Sequence, residues 1–173
     1  MTEKAETLWQ RIIAKGSRNT PGYEANLNLQ PGASVEELDG LASTLEVVLP
    51  QELRDFYSIY NGQDWEAGSE CFVRNLTLSP LEQIIEHWEF LNEEFDPDDM
   101  EPEIVPQIKP FLWNPRWIPI ASNGGGDHFC VDTDPSEEGT FGQLLYFYHD
   151  WGNRSVEAAG LFDFIEQCLN EEE

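Results

Sequence analysis

The sequence predicts a single α+β domain, an antiparallel or mixed sheet of about five to six strands with helices packed mainly on one face. Three observations predict it. Apolar residues at helical spacing crowd the first half of the chain, whereas the last third breaks into short apolar runs separated by glycine-rich and Asp/Asn-containing turns. The chain has 173 residues, 40% of them apolar and 12% aromatic. That length and composition can bury a core without disulfide staples.

A first helix is predicted over Glu3 to Lys15, with Leu8, Trp9, Ile12 and Ile13 on one face and Gly16 as its stop. Asn19 to Gly32, with Pro21, Gly22, Pro31 and Gly32, reads as a loop. Residues 1–33 thus read as an N-terminal helix and loop. Ser34 opens a second helix with Glu37 at capping-box spacing. Its apolar stripe is Val35, Leu38, Leu41, Ala42 and Leu45. Pro50 starts a third, where Leu53, Phe56, Tyr57 and Tyr60 recur at i, i+3, i+4, i+7 and Asn61-Gly62 is the stop. Glu70 to Leu78 alternates as a strand. Ser79-Pro80-Leu81-Glu82 reads as cap, first-turn proline and capping-box glutamate of a fourth helix, with Leu81, Ile84, Ile85, Trp88, Leu91 and Phe95 on one face. Seven of the eleven residues from Glu93 to Glu103 are acids, and with four prolines from Pro97 to Pro110 the stretch reads as an irregular, solvated loop. Strands follow over Trp117–Ala121, Asp127–Thr133, Leu144–His149 and Ser155–Ala158. Gly124-Gly125-Gly126 joins the first pair and Asp150-Trp151-Gly152-Asn153 the last. A closing helix covers Leu161 to Leu169, with Leu161, Phe164, Ile165 and Cys168 inward.

Charge is the outlying property, with nine Lys and Arg against 34 Asp and Glu, a net of −25. Residues 1–18 are net +2, which leaves −27 on the other 155. Such a field repels phosphate backbones and acidic membrane and attracts basic surfaces. Nucleic acid and membrane are excluded as direct partners, and a basic protein is expected; mere solubility is the alternative use of the charge. No run of about 18 apolar residues exists, so no membrane span is predicted. The first residues lack the apolar core of a secretory signal. The odd count of widely spaced cysteines, Cys71, Cys130 and Cys168, argues for reduced thiols and a cytoplasmic location.

Catalytic and metal motifs fail on inspection. Gly124 to Gly126 is followed by Asp127 and His128, where a phosphate-binding loop needs Lys and Ser/Thr. Asp132-Thr133-Asp134 opens like a calcium loop, but its sixth and twelfth positions hold Glu137 and Gln143. His128, Cys130 and Asp132 alternate on one strand yet span about 13 Å, too far for one zinc ion unless a neighbouring strand supplies a donor such as His149. His87-Trp88-Glu89 lacks the PCxxC of a deaminase. No GxSxG elbow exists, and Cys130 sits in an apolar strand where a thiolate is disfavoured. Acid pairs arise by chance at this density and carry no signal. No cofactor, metal or catalytic residue is expected, and the chain is read as a non-enzyme.

The most specific text is the run from Trp117-Ile-Pro-Ile-Ala-Ser-Asn-Gly-Gly-Gly-Asp-His-Phe-Cys-Val-Asp-Thr-Asp134-Pro135, then Gly142-Gln143 leading to Tyr146-Phe-Tyr-His-Asp150. It resembles the SUKH superfamily, in particular the branch of the fungal cell-wall assembly and cell-proliferation coordinating regulator. Leu49-Pro50 through Asn61-Gly62-Gln63 looks like that family's first motif, Leu78 to Leu91 like its second and Asn114 to Ile120 like its third. The resemblance covers residues 34 to 169 and implies one α+β domain without catalysis. Bacterial members are mostly cytosolic immunity proteins that block a toxin domain, often a nuclease; fungal members are scaffolds in cell-wall synthesis. The first expectation is therefore an immunity protein occupying a basic toxin domain by charge mimicry, and the alternative is a regulatory scaffold without a toxin. The hairpin after Asp150 departs from the family in carrying Trp151.

Hairpin tips are usually polar, so Trp151 between Asp150 and Gly152 is out of place unless it meets a partner or folds back onto the domain. Trp65 stands in another loop between Asp64 and Glu66. Aromatic anchors among charges are the composition of binding hot spots. The candidate partner-binding residues are Trp151, Asp150, Trp65, Asp64, Glu66, Asp127 and His128.

Overall fold

The computed structural model describes residues 2–65, 68–96, 98–100, 104–152 and 154–171. The first helix, α1 (Thr2–Asn19), runs four residues past its predicted end at Lys15. Gly16 lies inside it because the ring of Tyr23 packs where a side chain would stand: a Cβ there would come within 2.2 Å of that ring. α1 buries Ala5, Leu8, Trp9 and Ile12, and Trp9 stacks on Phe56 at 4.4 Å. Residues expected as a loop fold into a single turn, α2 (Tyr23–Asn26), and a short strand, β1 (Leu29–Pro31). α3 (Val35–Leu45) carries the full capping box between Ser34 and Glu37, as its spacing predicts.

α4 (Gln51–Ile59) begins after Pro50 and ends at once in β2 (Tyr60–Gln63), which pairs antiparallel with β1. Asn61-Gly62 is thus a strand segment, not a helix stop. Gly62 has φ +68°, and a Cβ on it would lie 2.5–2.7 Å from the backbone of Ser79 and Pro80. Only glycine allows that approach. The same approach brings Asn61 Oδ1 to the backbone N–H of Leu81, 2.9 Å away, at the start of α5 (Leu81–Glu94). Asn61 therefore does the capping that the sequence assigns to Ser79, whose hydroxyl has no partner among the described residues. The predicted strand 70–78 shrinks to β3 (Thr77–Leu78), where Gln63 Oε1 accepts from the Leu78 N–H at 2.8 Å.

β4 (Trp117–Ser122), β5 (His128–Asp132), β6 (Leu144–Phe147) and β7 (Val156–Ala158) complete a five-stranded antiparallel sheet in the order β3-β4-β5-β6-β7, and α6 (Leu161–Asn170) closes the chain. One face packs Ile118, Ile120, Phe129, Val131 and Leu144 against the helical core. The other face, Trp117, Cys130, Leu145 and Phe147, is covered by Leu91 of α5 and by Ile104, Ile108 and Trp113 from the irregular segment before β4. Both central strands are consequently buried at every position.

The acid-rich stretch is thus not all solvated loop. Glu93 and Glu94 belong to α5, and Asp96, Asp98 and Asp99 are exposed, but the residues after it form a lid on the sheet. Polar clamps hold the lid: Lys109 Nζ lies 2.7 Å from Asp134, Asn114 donates to the same carboxylate, and Gln143 bridges the Gln107 carbonyl and Asp132. The acids that opened like a calcium loop are spent on these clamps.

Candidate functional site

The hairpin between β6 and β7 projects from the end of the sheet beside the Gly124–Gly126 connection. Gly126, at φ +99°, packs against the His149 ring, which a Cβ would meet at 3.0 Å. Asp127 Oδ1 accepts from the His149 backbone N–H at 3.0 Å and lies 2.8 Å from its Nδ1, while Asn123 donates to Oδ2. Partial burial pushes the Asp127 carboxyl up, but the His149 and Asn123 hydrogen bonds outweigh it and hold the carboxyl below its ordinary value. The hydrogen bond to Asp127 holds exposed His149 above its ordinary value, with Asp150, 3.2 Å from Nε2, adding to it. This trio pins the hairpin to the glycine connection.

Beneath the tip, Arg154 is buried, 2% exposed. Its Nε and Nη2 donate to the Leu112 carbonyl, its Nη1 to the Trp151 carbonyl, and its guanidinium lies 4.3 Å over the Phe147 ring. One cation thereby joins lid, sheet and hairpin. Above it the Trp151 side chain stands 64% exposed, touching Tyr148 at 5.3 Å. Tyr148 stacks on Tyr146 at 5.0 Å with the rings 13° from parallel.

The other predicted residues lie elsewhere. Asp64 and half-buried Trp65 follow β2 and line an open polar hollow of about 390 Å³ with Gln30, Asn61, Glu82 and Glu86. Trp65 donates its indole N–H to the Leu78 carbonyl at 3.2 Å and packs 5.5 Å from His87, so it braces the domain. Glu66 lies outside the described residues. Among the described residues no hydrogen bond or ring contact joins Trp65 to Trp151. His128 is a correction: it is 5% exposed and faces the interior, because lid and helices bury β5 from both sides.

His128 lies 4.8 Å from His87, and among the described residues the Nδ1 of each is buried without a hydrogen-bond partner. Burial first, then the neighbouring His87, pulls the His128 imidazole down to about 4; burial also lowers His87. At His128 the unfolded chain binds more protons between that value and the ordinary one near 6.5, so this group's contribution to stability is full above about pH 6.5 and falls toward pH 4. A shift of that size corresponds to about 3 kcal/mol across the window. Replacing His128 with phenylalanine is expected to flatten the dependence of melting temperature on pH between about 4.5 and 6.5; an unchanged slope would contradict this origin.

Sequence reasoning missed Tyr146, Tyr148 and Arg154. The aromatic alternation of Tyr146 and Tyr148 with inward Leu145 and Phe147 was the available signal. It also missed a second apolar surface, where exposed Val48 and Phe141 border a hollow of about 400 Å³ with Arg116.

Burial pushes the thiols of Cys130 and Cys168 up, Cys168 to about 12, so both behave as apolar fillers. Among the described residues no group of three or more His, Cys, Asp or Glu is placed to hold a metal ion. No helix among them is long and apolar enough to cross a membrane.

Comparison with known proteins adds the remaining finding. The model of the SMI1/KNR4 family (SUKH-1) matches residues 32–167. Similar proteins include the cell wall biosynthesis/cell cycle regulator smi1 of Schizosaccharomyces pombe, 26% identical over 91% of this chain and 34% of the relative. The glucan synthesis regulatory protein of Neurospora crassa is 24% identical over 91% of this chain and 36% of its own length. The cell wall assembly regulator SMI1 of Saccharomyces cerevisiae is 21% identical over 96% of this chain and 40% of its own. The chain thus spans little more than a third of the length of these relatives.

Proposed function

The chain belongs to the SMI1/KNR4 family (SUKH-1), and from that premise we propose that it is a non-catalytic, protein-binding regulatory module, with the Trp151 hairpin as its contact surface. The relatives bear names of regulators of cell-wall and glucan synthesis, which favours the scaffold expectation over the immunity expectation. The observation that carries the contact surface is an exposed Trp151 on a hairpin held from below by Arg154 and from the side by Asp127 and His149. A pinned aromatic loses little freedom on binding, and a ring of acids around it selects a partner of opposite sign.

The partner is a basic polypeptide. Net charge of −25 leaves long-range attraction for such a surface and repulsion for anionic ones. The charge suits equally a second reading, in which the basic partner is a toxin domain that the chain blocks. Three thiols without a disulfide fit a cytoplasmic setting under either reading.

Affinity capture from the native host with wild type and Trp151→Ala side by side tests the proposal. The expected result is a basic protein retained by wild type and lost with the variant at unchanged melting temperature. Binding to that protein is expected to weaken as salt rises, chiefly through a slower association rate. Equal capture by both proteins would remove the hairpin from the site, and salt-independent binding would remove the charge argument. A captured toxin domain would decide for the second reading.

A further inference from the structure

On the α6 side of the sheet four rings touch in sequence from core to solvent. Phe129 meets Tyr146 at 5.5 Å, Tyr146 meets Tyr148 at 5.0 Å, and Tyr148 meets Trp151 at 5.3 Å. Phe129 is buried, the two tyrosines are half-buried and Trp151 is exposed. The root of the ladder is fixed, since Phe129 also packs against Phe164 of α6 at 4.1 Å. Among the described residues neither phenol hydroxyl nor the Trp151 indole N–H has a hydrogen-bond partner. Three ring donors therefore accompany a ridged apolar surface.

The spacing selects an occupant. A polyproline II helix has three residues per turn and rises about 3.1 Å per residue, so residues on one face recur about every 9 Å. Two successive ring steps of 5.0 and 5.3 Å reach at most about 10 Å, so the ladder is long enough to meet one such repeat. Tyr146 and Tyr148 are stacked and leave no gap between them, so a proline packs on the outward side of the ladder, where Tyr148 and Trp151 meet at 43°. Polyproline II makes no internal hydrogen bonds, so its carbonyls are free to accept from phenol and indole donors. Such a segment is also preformed, which limits the entropy lost on a platform with no enclosing groove. A docked amphipathic helix would need a groove along its length, and none of the described hollows is lined by these rings.

Charge fixes the rest of the ligand. Asp150 adjoins Trp151, and after burial the charges of Glu157 and Asp127 push the Tyr148 phenol up, which places both acids beside the ladder. Of the basic groups nearby, Arg154 is buried under the tip, Arg74 pairs with Glu157 and Glu171, and His149 pairs with Asp127 and Asp150, whose carboxylate still faces solvent. We propose that Tyr146, Tyr148 and Trp151 form a docking platform for a proline-rich segment of a partner protein, bound as polyproline II, with lysine or arginine beside the prolines meeting the exposed Asp150. The proposal rests on the reading of the hairpin as the contact surface and names the chemistry that surface takes.

The test is fluorescence polarisation of the full chain against an array of labelled short peptides with prolines at PxxP spacing and arginine at one end, the intervening positions varied. A subset is expected to saturate. Replacing the prolines by alanine, or the arginine by glutamate, is expected to weaken each of these by tenfold or more. Trp151→Ala is expected to weaken them about thirtyfold, Tyr148→Ala comparably, and Phe141→Ala, on the other apolar surface, not at all. Melting temperatures identify any variant that has lost its fold, and Trp151→Phe, which keeps a ring, should recover part of the affinity. The proposal is overturned if no array member saturates, if alanine-for-proline peptides bind as well, or if binding ignores Trp151→Ala. Should no peptide bind while Trp151→Ala still abolishes capture of the basic protein, the proline-rich ligand is wrong and the hairpin reading stands. Should Trp151→Ala alter neither, both fail.

Discussion

Trp9→Ala is expected to cost about 3–5 kcal/mol of stability and to lower the melting temperature by roughly ten degrees or more. Trp9 is 1% exposed, stacks on Phe56 and edge-on to Tyr60, and donates its indole N–H to the Phe56 carbonyl at 3.1 Å. Truncation removes the ring contacts, opens a cavity where α1 meets α4, and strands a buried carbonyl. The size of the effect matters because the family match begins at residue 32, which makes α1 look dispensable. Its buried face is continuous with the main core. A fragment covering only the matched residues is expected to expose that face and to aggregate or melt early. Calorimetry of Trp9→Ala decides the point; a loss below about 1 kcal/mol would show α1 to be an appendage.

The second large effect belongs to Arg154. Arg154→Ala strips donors from the Leu112 and Trp151 carbonyls and removes the cation over Phe147. Buried carbonyls left without donors and the lost packing of the long side chain together make about 2–4 kcal/mol. Arg154→Lys is expected to recover only part, because an ammonium cannot fork between two carbonyls. Hydrogen exchange should rise both near Leu112 and in the hairpin. Partner affinity should fall although Trp151 is intact, since the tip loses its anchor. Unchanged exchange in one of the two loops would mean that the guanidinium does not couple them.

Where local pattern governs, the sequence was readable. The capping box of Ser34 and Glu37, the apolar stripes of α3 to α6 and the four late strands stand close to where periodicity places them. Readings failed where a distant segment decides. Asn61-Gly62 looks like a helix stop, yet its glycine is required by the backbone of Ser79 and Pro80, just before α5. Ile104, Ile108 and Trp113 follow no period, so their role as a lid on the sheet is invisible locally, and with it the burial of His128. At the candidate site, Trp151 was conspicuous because a large apolar residue in a turn is anomalous. Tyr146 and Tyr148 were not, since aromatics in a strand are ordinary; only the register shows them stacked.

The outer strands of the main sheet have a further consequence. β3 is two residues long and β7 three, while the long strands β4 and β5 lie inside. A sheet with such stubs at both margins offers almost no unpaired backbone for another chain to zip onto. Among the described residues, the main sheet therefore gives little template for head-on fusion of two copies into a continuous sheet, the first step toward fibrous aggregates. An acidic molecule built this way is expected to resist recruiting itself through its sheet edges even at high concentration.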